Sequence, residues 1–272
     1  MAGDGVAEVL TSFSDGVAVV TVDRPAVRNA ISPATMDALS LALDAAESAA
    51  GSGSGSASVS VLVITGGGDR AFISGGDLKE LAKIRTHDEA VAMALRMRRL
   101  CDRLASFPVP VIAALNGHAF GGGAEVAVAA DIRVACDDVT IAFNQSRLAI
   151  MPAWGGAERL ASLVGRSQAL LLCTTGERVD AASALRLGLV ERVYPRESFG
   201  SSWRSLAASI AASPARELKS VIAAAAPHTH ADLEAAAAHT FASLWVSDAH
   251  WAAADGVTGT TGVTGKAPGP GA

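Results

Sequence analysis

A run of three glycines followed closely by an acidic residue, Gly121–Gly123 and then Glu125, is the stretch of this chain best suited to chemistry. The apolar segment Val109–Leu115 before it predicts a buried strand, and the alanine- and valine-rich residues after it predict a helix. Glycines between a strand and a helix let the backbone turn sharply and bring N–H groups close to a ligand. Backbone donors beside a carboxylate can polarise a carbonyl and move a proton next to it. A tight turn with a solvated glutamate is the alternative; if the stretch is a site, we expect Glu125 to face the ligand cavity.

The same design occurs upstream. Val59–Thr65 predicts a second buried strand, and it leads to a glycine turn at Gly75-Gly76 with Asp77 at the start of a helix. A third glycine turn, in Pro152–Gly156, precedes another predicted helix. Repeated strand–glycine–helix units indicate an α/β fold, in which ligands bind beyond the carboxyl ends of the strands.

The ends of the chain differ from this pattern. Two short alternating runs joined by Asp15-Gly16 predict a hairpin near the N-terminus. From Trp203 to Trp251 no strand is predicted, and the alanine content indicates two or three helices. We therefore predict a core over residues 1–198, a helical region over 199–253 and a flexible tail over 254–272.

Composition excludes several classes of function. Half of the 272 residues are apolar and 18% are charged, as in globular proteins, and the formal net charge of −5 argues against nucleic acid as a partner. Three separated cysteines without a CxxC pair argue against a disulfide framework and against a zinc site. With no signal peptide and no run of 18 apolar residues, we expect a cytoplasmic protein that does not bind or span a membrane.

Five segments, taken together and in this order, resemble the crotonase family of acyl-coenzyme A enzymes, which includes enoyl-CoA hydratases and isomerases. They are RPAVRNAIS (24–32), ITGGGDRAFISGGDLKE (64–80), NGHAFGGGAEVAVAADIRVA (116–135), PAWGGAERLASLVG (152–165) and GERVDAASALRLGLVERVYP (176–195). Each glycine motif alone is weak, but agreement of the ordered set is hard to reach by chance. The resemblance implies a crotonase-like ββα spiral core and a C-terminal all-helical region that builds a homotrimer or a hexamer of two trimers.

The resemblance also implies the roles of three residues. The backbone N–H groups of Gly76 and Gly122 correspond to an oxyanion hole for the thioester carbonyl, where the loss of one donor typically costs ~10²–10³ in rate. Glu125 corresponds to the first of two catalytic glutamates. The expected activity is hydration of a 2-trans-enoyl-CoA to a 3-hydroxyacyl-CoA.

The second catalytic glutamate is replaced. Counted back from Pro152, its position is Gln145, and glutamine can hold water by hydrogen bonds but cannot exchange a proton at neutral pH. Three alternatives remain: a hydratase with a single catalytic glutamate, a double-bond isomerase, and an acyl-CoA-binding protein with little turnover. Trp154 either lines the acyl pocket or packs under its glycine turn.

The coenzyme A part of the substrate is expected near the first two motifs. Cationic side chains there would suit its phosphates. The residues assigned to this contact by the resemblance are Arg24, Arg28, Ala71, Gly75, Asp77 and Lys79. The resemblance implies no metal and no cofactor apart from the coenzyme A that the substrate carries.

Overall fold

The structure is a computed structural model and describes residues 8–51, 58–84 and 86–223. Within these ranges the chain forms ten strands and nine α-helices. None of the helices in this described part is long and apolar enough to cross a membrane.

The N-terminal hairpin is confirmed. Strand β1 (Val9–Ser14) pairs antiparallel with β2 (Val17–Val22). The two residues between them, Asp15 and Gly16, have φ values of 51° and 76°. Positive φ at both central residues is what a tight two-residue turn between twisted strands requires.

The remaining elements alternate between short strands and helices. The strands are β3 (Val61–Gly66), β4 (Ala71–Ile73), β5 (Val111–Leu115), β6 (His118–Phe120), β7 (Ile132–Cys136), β8 (Thr140–Ala142), β9 (Val179–Asp180) and β10 (Arg192–Tyr194). The helices are α1 (Pro33–Gly51), α2 (Leu78–Leu81), α3 (His87–Ala105), α4 (Gly122–Ala129), α5 (Gly156–Val164), α6 (Arg166–Thr175), α7 (Ala181–Leu187), α8 (Arg196–Ala211) and α9 (Ala215–Ala223).

Two sheets organise these elements. Six strands form one sheet in the order β1-β2-β3-β5-β7-β10, and four form the second in the order β4-β6-β8-β9. Apart from the β1–β2 and β8–β9 pairs, neighbouring strands run parallel. Strands β3 and β5 are buried along their whole length, as expected for parallel strands covered on both faces. A strand of the first sheet leads into a short strand of the second and then into a helix, which confirms the α/β prediction.

The short strands β4 and β6 were not predicted. Each has three residues and adjoins a glycine-rich segment. Three residues are too few for a two-residue hydrophobic period to show. They matter because β4 ends directly before the glycine turn at Ser74–Asp77, and β6 ends directly before the glycine turn at Gly121–Gly123.

The compact unit that contains both sheets runs to Arg216. Helix α8 belongs to it and buries Phe199, Trp203 and Ala207. The second unit begins at Glu217, and its described part is the end of α9. The predicted division at residues 198 and 253 stays a prediction, because most of the chain beyond it lies outside the described residues.

Candidate active site

The two glycine turns meet at the carboxyl ends of β4 and β6. Strand β4 leads into Ser74–Asp77, β6 leads into Gly121–Gly123, and the two strands are parallel neighbours. A Cβ atom added to Gly75 would lie 3.5 Å from the nitrogen of Gly122, so the backbones of the two turns are in contact. Gly75 has a φ of 109°, a conformation that side chains disfavour.

The amide nitrogens of Gly76 and Gly122 have no hydrogen-bond acceptor among the residues that the structure describes. Beside the first amide, Ile31 pairs with the Gly75 carbonyl and the Asp77 amide, so the Gly76 N–H is left outside this pairing. Gly122 is the first residue of α4, where N–H groups have no intrahelical partner. The structure thus brings two unpaired donors to adjoining turns, as an oxyanion site requires.

The glycines of the second turn are also needed for space. A Cβ atom at Gly122 would lie 2.0 Å from Cζ3 of Trp154, and one at Gly123 would lie 1.8 Å from the carbonyl oxygen of Ile73. Neither contact is possible without moving the indole or the β4 backbone. The start of α4 is therefore in direct contact with Trp154 on one side and with β4 on the other.

Glu125 lies in the first turn of α4 and is only 2% exposed. Its Oε2 accepts hydrogen bonds from the backbone amides of Trp154 (2.7 Å) and Gly156 (3.0 Å), and its Oε1 accepts one from Nε2 of Gln145 (2.9 Å). Gly156 begins α5, so the carboxylate is bound at the N-terminus of that helix, where the helix dipole favours an anion.

Burial raises the pKa of the Glu125 carboxyl above its ordinary value, and the same three donors oppose the rise by stabilising the anion. A carboxyl with a raised pKa is better suited to exchange protons near neutral pH than an exposed one. Burial, with a contribution from Glu125, also raises the pKa of the neighbouring Cys101 thiol to about 12. This cysteine therefore stays a thiol and is not a nucleophile.

Gln145 lies in the 3-10 helix Asn144–Leu148 and is 6% exposed. Because the ionised Glu125 only accepts hydrogen bonds, the amide must present its Nε2 to the carboxylate. Its Oε1 is buried and, in the part of the chain that the structure describes, is the one such side-chain atom without a partner. An open acceptor next to Glu125 is suited to a water molecule or to a donor group of a ligand.

The main cavity, of about 1380 Å³, adjoins this site but does not contain all of it. Gly76 lines the cavity, whereas Gly122, Glu125 and Gln145 do not. The expectation that Glu125 faces the cavity is therefore wrong for this structure. The physical reason is that the amides at the start of α5 and the side chain of Gln145 bind and enclose its carboxylate.

Ten charged side chains line the cavity, and six are cationic: Arg24, Arg28, Arg70, Lys79, Arg178 and Arg196. Arg24 forms ion pairs with Glu8 and Asp77, and Arg196 forms one with Asp138. The side chains of Arg28, Arg70 and Lys79 form no ion pair or hydrogen bond with the described residues. These three free cations give the cavity its capacity for a phosphate-bearing ligand.

Of the residues assigned to coenzyme A, all except Gly75 line this cavity. Asp77 caps α2 by accepting from the Glu80 amide (3.4 Å) and binds Arg24 at 3.0 Å. Arg24 also donates to the carbonyl of Ala30. Both charged residues thus hold the first glycine turn in place, and Arg28 and Lys79 remain as free cations.

Asn29 is a residue whose role sequence reasoning missed. Its side chain is fully buried, donates to the carbonyls of Gly67 (3.0 Å) and Ala71 (2.7 Å), and accepts from the Arg24 amide (2.9 Å). Its φ of 57° is a conformation that asparagine tolerates better than most residues. Asn29 therefore ties the RPAVRNAIS segment to β4, although the sequence alone does not reveal its partners.

Arg159 is a second missed residue. It donates to the carbonyl of Trp154 (3.2 Å) and pairs with Asp102, 57 positions away. A Cβ atom at Gly155 would lie 2.2 Å from its Nη1, and the φ of Gly155 is 89°. The guanidinium therefore packs on the turn whose amides bind Glu125.

Two further features beside the cavity are structural. His118 stacks on Phe120 at 5.4 Å and accepts the Thr140 amide at Nδ1 (3.0 Å), so this histidine is engaged in packing. Among the described residues, Cys136, Asp137 and Asp138 form a group of metal-ligand type, but Arg196 already binds Asp138. Burial raises the pKa of the Cys136 thiol to about 11, which makes it a poor metal ligand at neutral pH.

Comparison with known proteins identifies the family of the chain. The family model for enoyl-CoA hydratase/isomerase matches residues 12–251. YngF of Bacillus subtilis, named for the same hydratase/isomerase activity, is 34% identical over 210 residues, which cover 77% of each chain. The first four curated relatives are matched over 64–77% of their own length.

Solved structures show the same fold. An enoyl-CoA hydratase from Bacillus anthracis has a TM-score of 0.82 at 26% identity, with 92% of this chain and 95% of that chain covered. An enoyl-CoA hydratase from Mycobacterium smegmatis has a TM-score of 0.82 at 25% identity, with 93% and 96% covered. The chain belongs to the enoyl-CoA hydratase/isomerase family and has the crotonase fold.

Proposed function

We propose that this chain hydrates a 2-trans-enoyl-CoA thioester to a 3-hydroxyacyl-CoA. The observation that carries the proposal is a pair of unpaired amides, Gly76 and Gly122, on adjoining turns, with the buried carboxylate of Glu125 three residues into the same helix. The hydratase names of relatives at about 35% identity support the family and are consistent with this reaction.

In this proposal the two amides bind the thioester carbonyl oxygen. As water adds to C3, the π electrons of the C2–C3 double bond move toward the carbonyl, and the oxygen becomes an enolate oxyanion. Donors already in place, such as the N–H groups of Gly76 and Gly122, stabilise this charge without reorganisation.

Glu125 carries the proton in both halves of the reaction. Its carboxylate takes one proton from the attacking water while the water oxygen bonds to C3. The protonated Glu125 then returns a proton to C2 as the enolate collapses to the thioester. One carboxylate is sufficient, because one proton is taken and one is given back. Its raised pKa strengthens it as the base that takes the proton from water, and a carboxyl whose pKa lies closer to neutral pH can serve in turn as base and acid.

Gln145 holds Glu125 and orients the water. Its Nε2 donates to Glu125, and its unpartnered Oε1 is available to accept from a water O–H. Because the cavity ends before the carboxylate, entry of the acyl group has to shift the Gln145 side chain, which encloses Glu125, while the Trp154 indole stays in place.

The coenzyme A part occupies the cavity in this proposal. The free cations Arg28, Arg70 and Lys79 bind its phosphates, while Arg24 and Asp77 hold the Gly76 turn. By the same family resemblance we propose a homotrimer or a hexamer, a cytoplasmic location, and no bound cofactor apart from the coenzyme A of the substrate.

A second candidate function is an acyl-CoA-binding protein with little turnover. The enclosure of Glu125 by three hydrogen-bond donors favours it, because a base with satisfied lone pairs is less available for proton transfer. Double-bond isomerisation is the third possibility and also uses a single proton carrier.

The experiment is turnover of a panel of 2-enoyl-CoA thioesters, followed by the loss of the conjugated enone absorbance and by identification of the product. The hydratase proposal predicts catalysed loss with formation of the 3-hydroxyacyl-CoA. Binding of the thioesters without loss would establish the binding protein instead. Conversion to a 3-enoyl-CoA would establish the isomerase.

A further inference from the structure

Trp154 contacts both halves of the proposed site. Its indole lies against Gly122, where an added Cβ atom would be 2.0 Å from Cζ3 and 2.3 Å from Cη2. Its backbone amide donates to Oε2 of Glu125 at 2.7 Å. A group that reaches both the Gly122 amide and the Glu125 carboxylate therefore lies beside this indole.

The indole is held firmly in that position. It is 7% exposed and belongs to the buried core. The backbone carbonyl of Trp154 accepts a hydrogen bond from Arg159. The next residue, Gly155, packs under the same guanidinium. The backbone of Trp154 is thus held by Glu125 and Arg159, and its buried indole forms a wall beside Gly122.

The direction of the acyl chain follows from the cavity. The coenzyme A part enters where Gly76 lines the cavity, which fixes the thioester carbon at the two amides. Carbons C2 and C3 must then lie on the side of Glu125, and C4 and the carbons beyond it continue away from the cavity. On that side the Trp154 indole packs against Gly122, and the Gln145 side chain binds Glu125.

We propose that Trp154 limits the length of the acyl chain and that the substrates are short-chain acyl-CoA thioesters. This inference rests on the proposed acyl-CoA function but not on the hydration reaction itself. The indole acts by exclusion in this proposal: a longer acyl chain meets the ring, so its added methylenes do not become buried.

The experiment measures Kd for saturated acyl-CoA thioesters, which bind without reacting. Butyryl-, hexanoyl-, octanoyl- and decanoyl-CoA are titrated into the full-length protein. A methylene that becomes buried strengthens binding by about fourfold. We expect no gain, or a loss, of affinity from butyryl- to decanoyl-CoA in the unchanged protein.

Three variants sharpen the test. Trp154→Ala removes the indole, and its affinity for decanoyl-CoA relative to butyryl-CoA is expected to rise at least tenfold over that of the unchanged protein. The same ratio for Trp154→Phe is expected to lie between those of Trp154→Ala and the unchanged protein. Trp203→Ala removes a similarly buried indole from α8 and not the one that packs against Gly122, and it is expected to leave the chain-length profile unchanged. If Trp154→Ala does not fold, the profiles of the unchanged protein and of Trp154→Phe still decide.

The outcomes are distinct. A steady gain in affinity up to decanoyl-CoA in the unchanged protein would overturn the inference, as would an unchanged profile in both Trp154 variants. Short-chain binding without any turnover would contradict the proposed hydration and leave this inference intact. Failure of every thioester to bind would overturn the acyl-CoA function and the inference together.

Discussion

The two halves of the candidate site are built in opposite ways. The thioester half, around Gly76, is open to the cavity and is held by charged and polar side chains, chiefly Arg24, Asp77 and Asn29. The carboxylate half, around Glu125, is closed and is held by backbone amides and tight packing.

The difference matches the two tasks. Binding a large anionic thioester requires an open cavity with free cations, whereas proton transfer is favoured by a dry site with fixed donors. It also explains why the second carboxylate is dispensable in our proposal. Gln145 occupies a position in contact with Glu125, where an amide stabilises the anion and a second anion would repel it.

The largest effect is expected when a methyl group is added to the closed half. In Gly123→Ala the new Cβ would lie 1.8 Å from the backbone oxygen of Ile73, which cannot move freely. Overpacking against backbone should cost about 3 kcal/mol or more. The matched variant Gly76→Ala meets only the end of the Leu81 side chain, at 2.7 Å, and should cost under about 1 kcal/mol. Thermal unfolding midpoints measure both, and equal losses would contradict the contrast between the halves.

The next effect concerns the polar support of the open half. Asn29→Ala leaves the buried carbonyls of Gly67 and Ala71 without their donor and should cost about 1–3 kcal/mol. It should also weaken acyl-CoA binding, because Asn29 holds the Arg24 segment to β4. Urea unfolding and a Kd titration measure the two consequences. Unchanged stability would show that Asn29 does not hold this half together.

A smaller effect is expected in the pH dependence. Burial already raises the pKa of Glu125. In the pH profile of kcat/KM, activity should therefore be lost, as pH falls, at a higher pH than the pKa range of an exposed glutamate. In Gln145→Glu a second carboxylate would lie within hydrogen-bond distance of the first, and the pair would share a proton. The acidic limb of the pH profile should therefore move upward by about one pH unit or more. The variant Gln145→Met removes the Nε2 donor without adding charge and should shift the acidic limb of the pH profile by less. A downward shift in Gln145→Glu would contradict this geometry.

The smallest effect is expected at the free cations. Lys79→Ala should weaken coenzyme A binding by no more than about fivefold, and less at high salt, because exposed charge pairs contribute about 0.2–1 kcal/mol. Lys83, one turn away, does not line the cavity and pairs with Glu80, so Lys83→Ala is the matched control. Equal losses in the two variants would show a general charge effect and not a phosphate contact.

Much of the open half could be predicted from the sequence. Glycine turns after buried strands, Asp77 at a helix start and the cations nearby are local signals, and the structure places all of them around one cavity or at its edge. The ordered motifs also indicated the family, which the comparisons confirm.

The enclosure of Glu125 could not be predicted in the same way. Its partners Gln145, Trp154 and Gly156 lie 20 to 31 positions away, and Arg159 reaches Asp102 across 57. No local pattern specifies which amides a buried carboxylate will face, because that depends on how α5 packs against α4. The unpaired Oε1 of Gln145 likewise follows from burial and not from residue type.

The central claim is that Glu125 alone carries the proton between water and C2. The most direct test measures kcat for a 2-enoyl-CoA and Kd for its saturated analogue in Glu125→Gln. The amide keeps the size of the side chain, so Kd should change little, while kcat should fall by ~10²–10⁴. If kcat is retained while Kd is unchanged, Glu125 is not the proton carrier and the account of the closed half is wrong.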